Sequence, residues 1–135
     1  MTFVPSSAAL AFAADSDQLA TQYPTFERPR VITLCGSTKF MDEFTRANQD
    51  LTLKGNVVFS VATTAYEGSG NVSAAQKSLL DSIHLEKIRL SDAIFVLNVG
   101  GYIGPSTARE IEYARRIGRA VCYLEPPKEG ASLPR

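Results

Sequence analysis

Short apolar runs alternate with longer amphipathic stretches from residue 30 onward. Four runs rich in β-branched residues are typical of buried strands: RVITLC (30–35), NVVFSV (56–61), DAIFVLNV (92–99) and RAVCYLE (119–125). The stretches between them predict helices within residues 36–55, 73–90 and 106–117. Strands and helices are therefore expected to follow one another in strict alternation.

The positions of the apolar side chains predict which face of each element is buried. In the first helix, Phe40, Phe44, Ala47 and Leu51 fall at spacings of four, three and four, which places them on one helical face. The third strand is apolar on both faces and is therefore expected to be central and parallel. In the second helix, the residues expected to supply apolar contacts are Leu79, Leu80, Ile83, Ile88 and Leu90.

Alternating strands and helices predict an α/β fold with a parallel sheet and right-handed crossovers. The economical arrangement is a flavodoxin-like (Rossmann-like) three-layer sandwich of four to five strands, in the order 2-1-3-4(-5). Residues 29–127 are expected to form this domain. Residues 1–28 are interpreted as a loosely ordered N-terminal arm, or as one that covers a neighbouring subunit, and residues 128–135 as a C-terminal tail.

The composition limits the kinds of molecule that the protein is expected to bind. The 135 residues carry 14 basic and 14 acidic side chains, so there is no charge excess of the kind that binds nucleic acid or an anionic membrane. Apolar runs fall short of the about 18 residues of a membrane helix, and a cytoplasmic protein is expected. Cys35 and Cys122 lie in apolar runs and are expected to be buried reduced thiols. Without a His/Cys cluster at metal spacing, neither a metal nor an organic cofactor is expected.

In such sheets ligands bind beyond the carboxyl ends of the strands, where the strand order reverses. Residues 36–39, 61–66, 98–104 and the end of the last strand are expected to meet there. Glycine- and hydroxyl-rich turns that lead into helix N-termini favour an anion such as phosphate. Tyr66 and Tyr102 are interpreted either as stacking on a base or as surface aromatics. The candidate substrate-binding residues are Gly36, Ser37, Lys39, Asn98, Gly100, Gly101, Tyr102, Gly104, Ser106 and Thr107.

Glu110 has two interpretations. Thr107 followed three residues later by Glu110 forms a capping-box pattern, in which the carboxylate only accepts from a backbone donor. Alternatively, Glu110, Ala114 and Ile117 form the stripe that faces the sheet. A carboxylate in the first turn of a helix is held ionised by the helix dipole. In that position it suits nucleophilic attack on a sugar carbon, as in retaining glycosidases.

His84 is the second catalytic candidate. It lies four residues after Leu80 and four before Ile88, on the border of an apolar helical face. A lone helical histidine is commonly a partly buried packing residue. If the ring reaches the ligand edge, its near-neutral pKa allows it to donate a proton to a leaving base or to position the sugar.

Over residues 30–125 the sequence resembles the nucleoside 2-deoxyribosyltransferase family, which includes the 2'-deoxynucleoside 5'-phosphate N-hydrolases. The resemblance rests on a first strand ending in CGS, on SDAIFV, and on REIEYA followed by GRAV. It implies a flavodoxin-like homodimer or larger assembly that cleaves an N-glycosidic bond through Glu110. It also implies that Gly36, Ser37, Gly104 and Ser106 contact the sugar or phosphate.

Three positions depart from the pattern of that family. His84 stands where a catalytic aspartate is common, and Thr33 stands where the first strand usually has a tyrosine. Glu112 stands two residues after the nucleophile position, where a glycine is usual. Two functions are therefore weighed. One is an N-glycosidase or N-glycosyltransferase that acts on a nucleoside 5'-monophosphate or nucleoside. The other is a nucleotide-binding sensor or partner module that has lost the chemistry.

Overall fold

Four parallel strands and three helices make up the domain, and the computed structural model describes residues 28–61 and 72–127. The strands pair in the order β2-β1-β3-β4, which confirms the predicted α/β class and strand order. The predicted arm (apart from Arg28), the predicted tail and Tyr66 lie outside the described residues. The elements in chain order are β1 (Val31–Cys35), α1 (Met41–Leu53), β2 (Val57–Phe59), α2 (Ala74–Arg89), β3 (Ala93–Val96), α3 (Pro105–Arg116) and β4 (Ala120–Tyr123).

Each face of the sheet carries its own apolar core, because successive strand residues point to opposite faces. Phe44, Ala47 and Leu51 of α1 pack on one face, so the predicted apolar stripe of this helix is confirmed for these three residues. Phe40 begins the stripe in the sequence but lies in a short 3-10 turn before the helix and is only half-buried. On the other face, α2 and α3 cover a second cluster: Cys35, Ile88, Ile94, Val96, Ile111, Ala114 and Tyr123. The helices and sheet therefore form three layers.

The second helix packs differently from the sequence prediction. Its buried residues are His84 and Ile88, one turn apart, and both face the sheet side of the helix. Leu79, Ile83 and Leu90 are exposed, although they were expected to supply apolar contacts. The prediction was wrong for these three because α2 touches the domain along one narrow line near its C-terminal half.

The predicted assembly of the protein into a homodimer or larger homo-oligomer remains a prediction.

Polar contacts hold the amino end of the central strands. Asp92 accepts a hydrogen bond from the Val31 N–H at 2.8 Å and forms an ion pair with Arg28 at 2.8 Å. The Thr33 hydroxyl lies 2.6 Å from that of Ser91 and donates to the Lys87 carbonyl at 3.1 Å. Asp92 and Thr33 thus stabilise the start of β3 against β1.

Within residues 28–61 and 72–127, no helix is long and apolar enough to cross a membrane.

Replacing Phe44 by alanine tests the core on the α1 face. The ring is 1% exposed, so we expect Phe44→Ala to lower the free energy of unfolding by about 3–5 kcal/mol in urea denaturation. Leu53→Ala is the matched control on the same helix. Leu53 is 71% exposed, so its truncation should change stability by less than about 0.5 kcal/mol. Equal losses for the two variants would contradict this packing.

Candidate functional site

A cavity of about 520 Å³ opens at the carboxyl ends of β1 and β3. These two strands are neighbours in the sheet, and the chain leaves them toward opposite faces, so the cavity lies where the strand order reverses. The cavity lies at the sheet edge where the sequence predicts a ligand, and ligand binding there stays a prediction. The lining residues come from the turn after β1, from α2 and from the start of α3, and they are Gly36, Ser37, Thr38, Val61, Val72, Lys77, Leu80, Asp81, Ile83, His84, Lys87, Tyr102, Gly104, Pro105, Ser106, Thr107 and Glu110.

The turn after β1 approaches the end of β3 too closely for a side chain. A Cβ built on Gly36 would lie 3.2 Å from both the Cβ and the carbonyl oxygen of Leu97. Ser37 then begins the 3-10 turn, and its Oγ accepts from the Lys39 N–H at 3.3 Å. Glycine at this position therefore lets the turn after β1 pack against the end of β3, beside the cavity.

The third helix begins at the cavity with Gly104 as N-cap and Pro105 as its first residue. Among the described residues, no side chain caps this end by a hydrogen bond, so the first-turn N–H groups are available to a ligand. Thr107 is the third helical residue and is buried. The capping-box interpretation of Thr107 and Glu110 is therefore wrong, because the helix starts two residues before Thr107.

Glu110 lies in the second turn of α3, facing α2, with its side chain 17% exposed. Burial raises the pKa of its carboxyl group from 4.5 to about 7, and this outweighs a hydrogen bond from the Cys35 thiol that lowers the pKa. The nearby Asp81 carboxylate adds to the rise. The expectation of a first-turn carboxylate held fully ionised is wrong, because Glu110 is one turn deeper and desolvated.

The ring of His84 lies beside Glu110. Its Nε2 is 3.7 Å from the Glu110 Oε1 and 3.5 Å from the Cys35 Sγ. Burial, followed by the Lys87 charge, lowers the pKa of His84 to about 4. The imidazole is therefore neutral at pH 7, and its contact with Glu110 is dipolar rather than an ion pair. Of the two sequence interpretations, the structure favours a ring at the ligand edge over a packing residue.

Cys35 is the site residue that sequence reasoning missed. It is the last residue of β1, buried and free, and it faces α2 and α3. Burial and the Glu110 charge raise its pKa well above its ordinary value. The Sγ, the imidazole and the carboxylate together form a group whose ligand atoms all lie within 4.8 Å of one another. Cys122, the second thiol, is also buried and free, as expected.

Two lysines on α2 give the cavity a charged wall that the sequence analysis did not single out. Lys77 Nζ pairs with Asp81 at 3.0 Å, four residues on. Lys87 Nζ donates to the Ser60 carbonyl at 2.5 Å, and burial lowers its pKa. The available signal was the spacing of four, three and three residues, which puts Lys77, Asp81, His84 and Lys87 on one helical face.

Four of the predicted binding residues do not line this cavity. Asn98 exchanges hydrogen bonds of 2.9 Å with the Glu125 backbone, and the Gly100 N–H donates to the Glu125 side chain at 2.9 Å. These contacts join the ends of β3 and β4. Lys39 Nζ lies 4.0 Å from the ring centroid of Tyr102 at the rim. A binding role for Lys39, Asn98, Gly100 and Gly101 stays a prediction. The six others line it: Gly36, Ser37, Tyr102, Gly104, Ser106 and Thr107.

Comparison with solved structures supports the fold. The chain is similar to the 2-deoxyribosyltransferase of the psychrotolerant bacterium Bacillus psychrosaccharolyticus, with a TM-score of 0.58 and 21% identity over 76% of this chain and 77% of that one. At this identity the likeness shows a shared fold. Comparison of the sequence with protein-family models and with curated proteins gives no match.

The raised pKa of Glu110 predicts how stability changes with pH. The folded state keeps the carboxyl protonated up to about pH 7, whereas the unfolded chain ionises near 4.5. The associated stability is present below pH 4.5 and is lost as the pH rises through about 7, a loss of about 3 kcal/mol. Glu110→Gln lacks this titration. We therefore expect the variant to gain stability relative to the native chain from pH 4.5 to 8, measured by urea denaturation.

The comparison with Glu110→Gln isolates one group. His84, whose pKa is lowered to about 4, contributes stability that is lost as the pH falls from 6.5, and this occurs in both proteins. A stability difference between the two proteins that stays constant over the pH range would contradict the buried placement of Glu110.

Proposed function

We propose that this protein cleaves the N-glycosidic bond of a nucleoside 5'-monophosphate or nucleoside, with Glu110 as nucleophile. The observation that carries the proposal is the placement of a mostly buried carboxylate in a cavity whose rim is the uncapped N-terminus of α3. One end of the cavity favours an anion and the other offers a nucleophile. The solved structure with a shared fold is a 2-deoxyribosyltransferase, which supports glycosyl chemistry at this edge.

The size and lining of the cavity support a nucleotide as substrate. Its volume of about 520 Å³ lies within the range of small-molecule sites. Ser37, Ser106 and the first-turn N–H groups of α3 would hold a 5'-phosphate. Tyr102 stands at the rim, edge-on to Phe40 with ring centroids 6.1 Å apart, and presents an aromatic surface for the base. A nucleotide in this orientation places its sugar between the α3 N-terminus and Glu110.

The reaction follows the retaining pattern of carboxylate nucleophiles. A Glu110 oxygen forms a bond to C1' of the sugar while the C1'–N bond breaks, and the electron pair leaves with the base, which takes up a proton. Water, or a second base, then attacks C1' and releases Glu110. Water as acceptor gives a hydrolase and a base gives a transferase. The nearby carboxylate stabilises the positive charge that develops on the sugar in the transition state.

His84 acts here as a positioning residue. Because its pKa is lowered to about 4, it carries no proton to give as imidazolium at pH 7. Its Nε2 lies 3.7 Å from Glu110 Oε1, beyond hydrogen-bond distance, so the ring acts on the carboxylate by packing and by its dipole. The departure from the aspartate of the resembling family therefore replaces an anion beside Glu110 by a neutral ring, which lowers the cost of ionising Glu110.

The assignment is tested by incubating the protein with a panel of nucleosides and nucleoside monophosphates and measuring free base by chromatography. We expect release from at least one monophosphate, and a loss of on the order of a thousandfold or more in Glu110→Gln, the scale of removing a catalytic group. Glu112→Gln is the matched control, since Glu112 is exposed on the same helix. Release from no substrate, or equal release by Glu110→Gln, overturns the proposal.

The pH profile gives an independent check on the nucleophile. Only the ionised carboxylate attacks, so kcat/KM should rise about tenfold per pH unit below about pH 7 and level off above it. A nucleoside substrate, which has no phosphate to titrate, separates the enzyme group from the substrate. A profile that is flat from pH 5 to 8, or that falls over this range, contradicts attack by Glu110.

A second candidate function is nucleotide binding without cleavage. It is favoured by the raised pKa of Glu110, which lowers the ionised fraction of the carboxyl group below about pH 7, and by the hydrogen bond from Cys35, which occupies a carboxylate lone pair. In that case a nucleotide raises the melting temperature and is recovered intact by chromatography. Recovery of free base from the same sample instead supports cleavage of the N-glycosidic bond.

A further inference from the structure

We propose that Cys35, His84 and Glu110 form a binding site for a divalent metal ion of the zinc class. The three residues come from β1, α2 and α3, and their ligand atoms lie within 4.8 Å of one another. The sequence analysis expected no metal, because no two of these residues are close in sequence. The site is therefore a product of packing rather than of a motif.

The distances between the ligand atoms fit tetrahedral coordination. Zinc lies about 2.3 Å from sulfur, about 2.0–2.1 Å from imidazole nitrogen and about 2.0–2.2 Å from carboxylate oxygen. At tetrahedral angles these bonds separate sulfur from nitrogen by about 3.6 Å and nitrogen from oxygen by about 3.4 Å. The observed separations are 3.5 Å from Cys35 Sγ to His84 Nε2 and 3.7 Å from His84 Nε2 to Glu110 Oε1. The third pair, Cys35 Sγ and the Glu110 carboxylate, lies within 4.8 Å, and zinc would draw these atoms to about 3.6 Å.

The donor set selects the kind of ion. A thiolate and an imidazole favour zinc and related transition metals, whereas magnesium and calcium prefer oxygen ligands alone. A ring nitrogen of neutral imidazole offers the ion a lone pair. On binding, the Cys35 thiol and any protonated Glu110 release their protons to solvent. The two anions then balance the two positive charges of the ion, and a neutral assembly is the one that a buried site tolerates.

The fourth position of the ion faces the cavity. His84 and Glu110 line the cavity, whereas Cys35 is fully buried behind them. Three protein ligands with one open position are typical of a zinc site that also holds water or a small ligand. The ion would therefore be reached from the ligand edge, along the same path as a substrate.

The site has a consequence for the reaction that rests on the proposed function. Coordination and attack on C1' use the same Glu110 oxygens, so a bound ion withdraws the nucleophile. Zinc is therefore expected to inhibit base release, and a chelator to restore it.

The test uses the full chain, freed of metal by a chelator, titrated with Zn²⁺ in calorimetry and with Co²⁺ in absorption spectroscopy. We expect one ion per chain and a sulfur-to-cobalt charge-transfer band. Cys35→Ser should abolish that band. Cys35→Ser and His84→Gln should each weaken Zn²⁺ binding by more than about a hundredfold, beyond the 10–100-fold effect of losing an outer partner of a ligand. Cys122→Ser is the matched control, since that thiol is buried in the other core cluster.

Three results overturn the proposal: no binding to the native chain, binding undiminished in both Cys35→Ser and His84→Gln, or loss of the cobalt band in Cys122→Ser. Circular dichroism of each variant shows whether it folds, and the paired substitutions at Cys35 and His84 keep the test decisive if one does not. These readouts need no substrate. Absence of base release under every condition thus counts against the proposed function alone, while absence of metal binding counts against this site alone.

Discussion

The site depends on the close packing of α2 and α3 on one face of the sheet. That packing brings His84 against Glu110 and presses both onto Cys35 at the end of β1. Three ionisable groups thereby share a volume that excludes most water. Each is driven toward its neutral form, as the raised pKa values of Glu110 and Cys35 and the lowered pKa of His84 show. At neutral pH the thiol and the imidazole are therefore uncharged, and Glu110, with a pKa of about 7, is only partly ionised.

The residues around the cluster determine which end of the cavity favours an anion. The α3 N-terminus and the hydroxyls of Ser37 and Ser106 offer an anion site at one end of the cavity. Along α2, Lys77 is paired with Asp81, so its charge is partly neutralised before any ligand arrives. For the proposed phosphate, the main contacts would be backbone N–H groups of α3, which bind an anion without the desolvation cost of an unpaired lysine.

The proposed glycosyl chemistry and the proposed metal binding would draw on the same property of the site. Both need the Glu110 carboxylate in its ionised form inside a desolvated pocket, and both supply a positive partner that stabilises it: a sugar carbon with developing positive charge, or a divalent ion. The neutral ring of His84 serves either use, because it neither repels a cation nor competes with the carboxylate.

The sequence by itself determined the fold and the edge where the site lies. Four β-branched runs and the helical periodicities between them sufficed for the parallel order 2-1-3-4, because alternating strands and helices leave few other arrangements. The apolar stripe at Phe44, Ala47 and Leu51 likewise followed from periodicity. Glu110 was identified because the stripe with Ala114 pointed it toward the sheet.

Only the tertiary structure determined the protonation state of Glu110 and which side chains surround it. A capping-box pattern at Thr107 and Glu110 was compatible with the local sequence, but the helix begins at Pro105 with Gly104 as N-cap. The exposure of Leu79, Ile83 and Leu90 depends on which line of α2 touches the domain. Cys35, His84 and Glu110 are far apart along the chain, and pKa values follow from burial and neighbours. Such proximity is a property of packing between elements, which periodicity within an element does not encode.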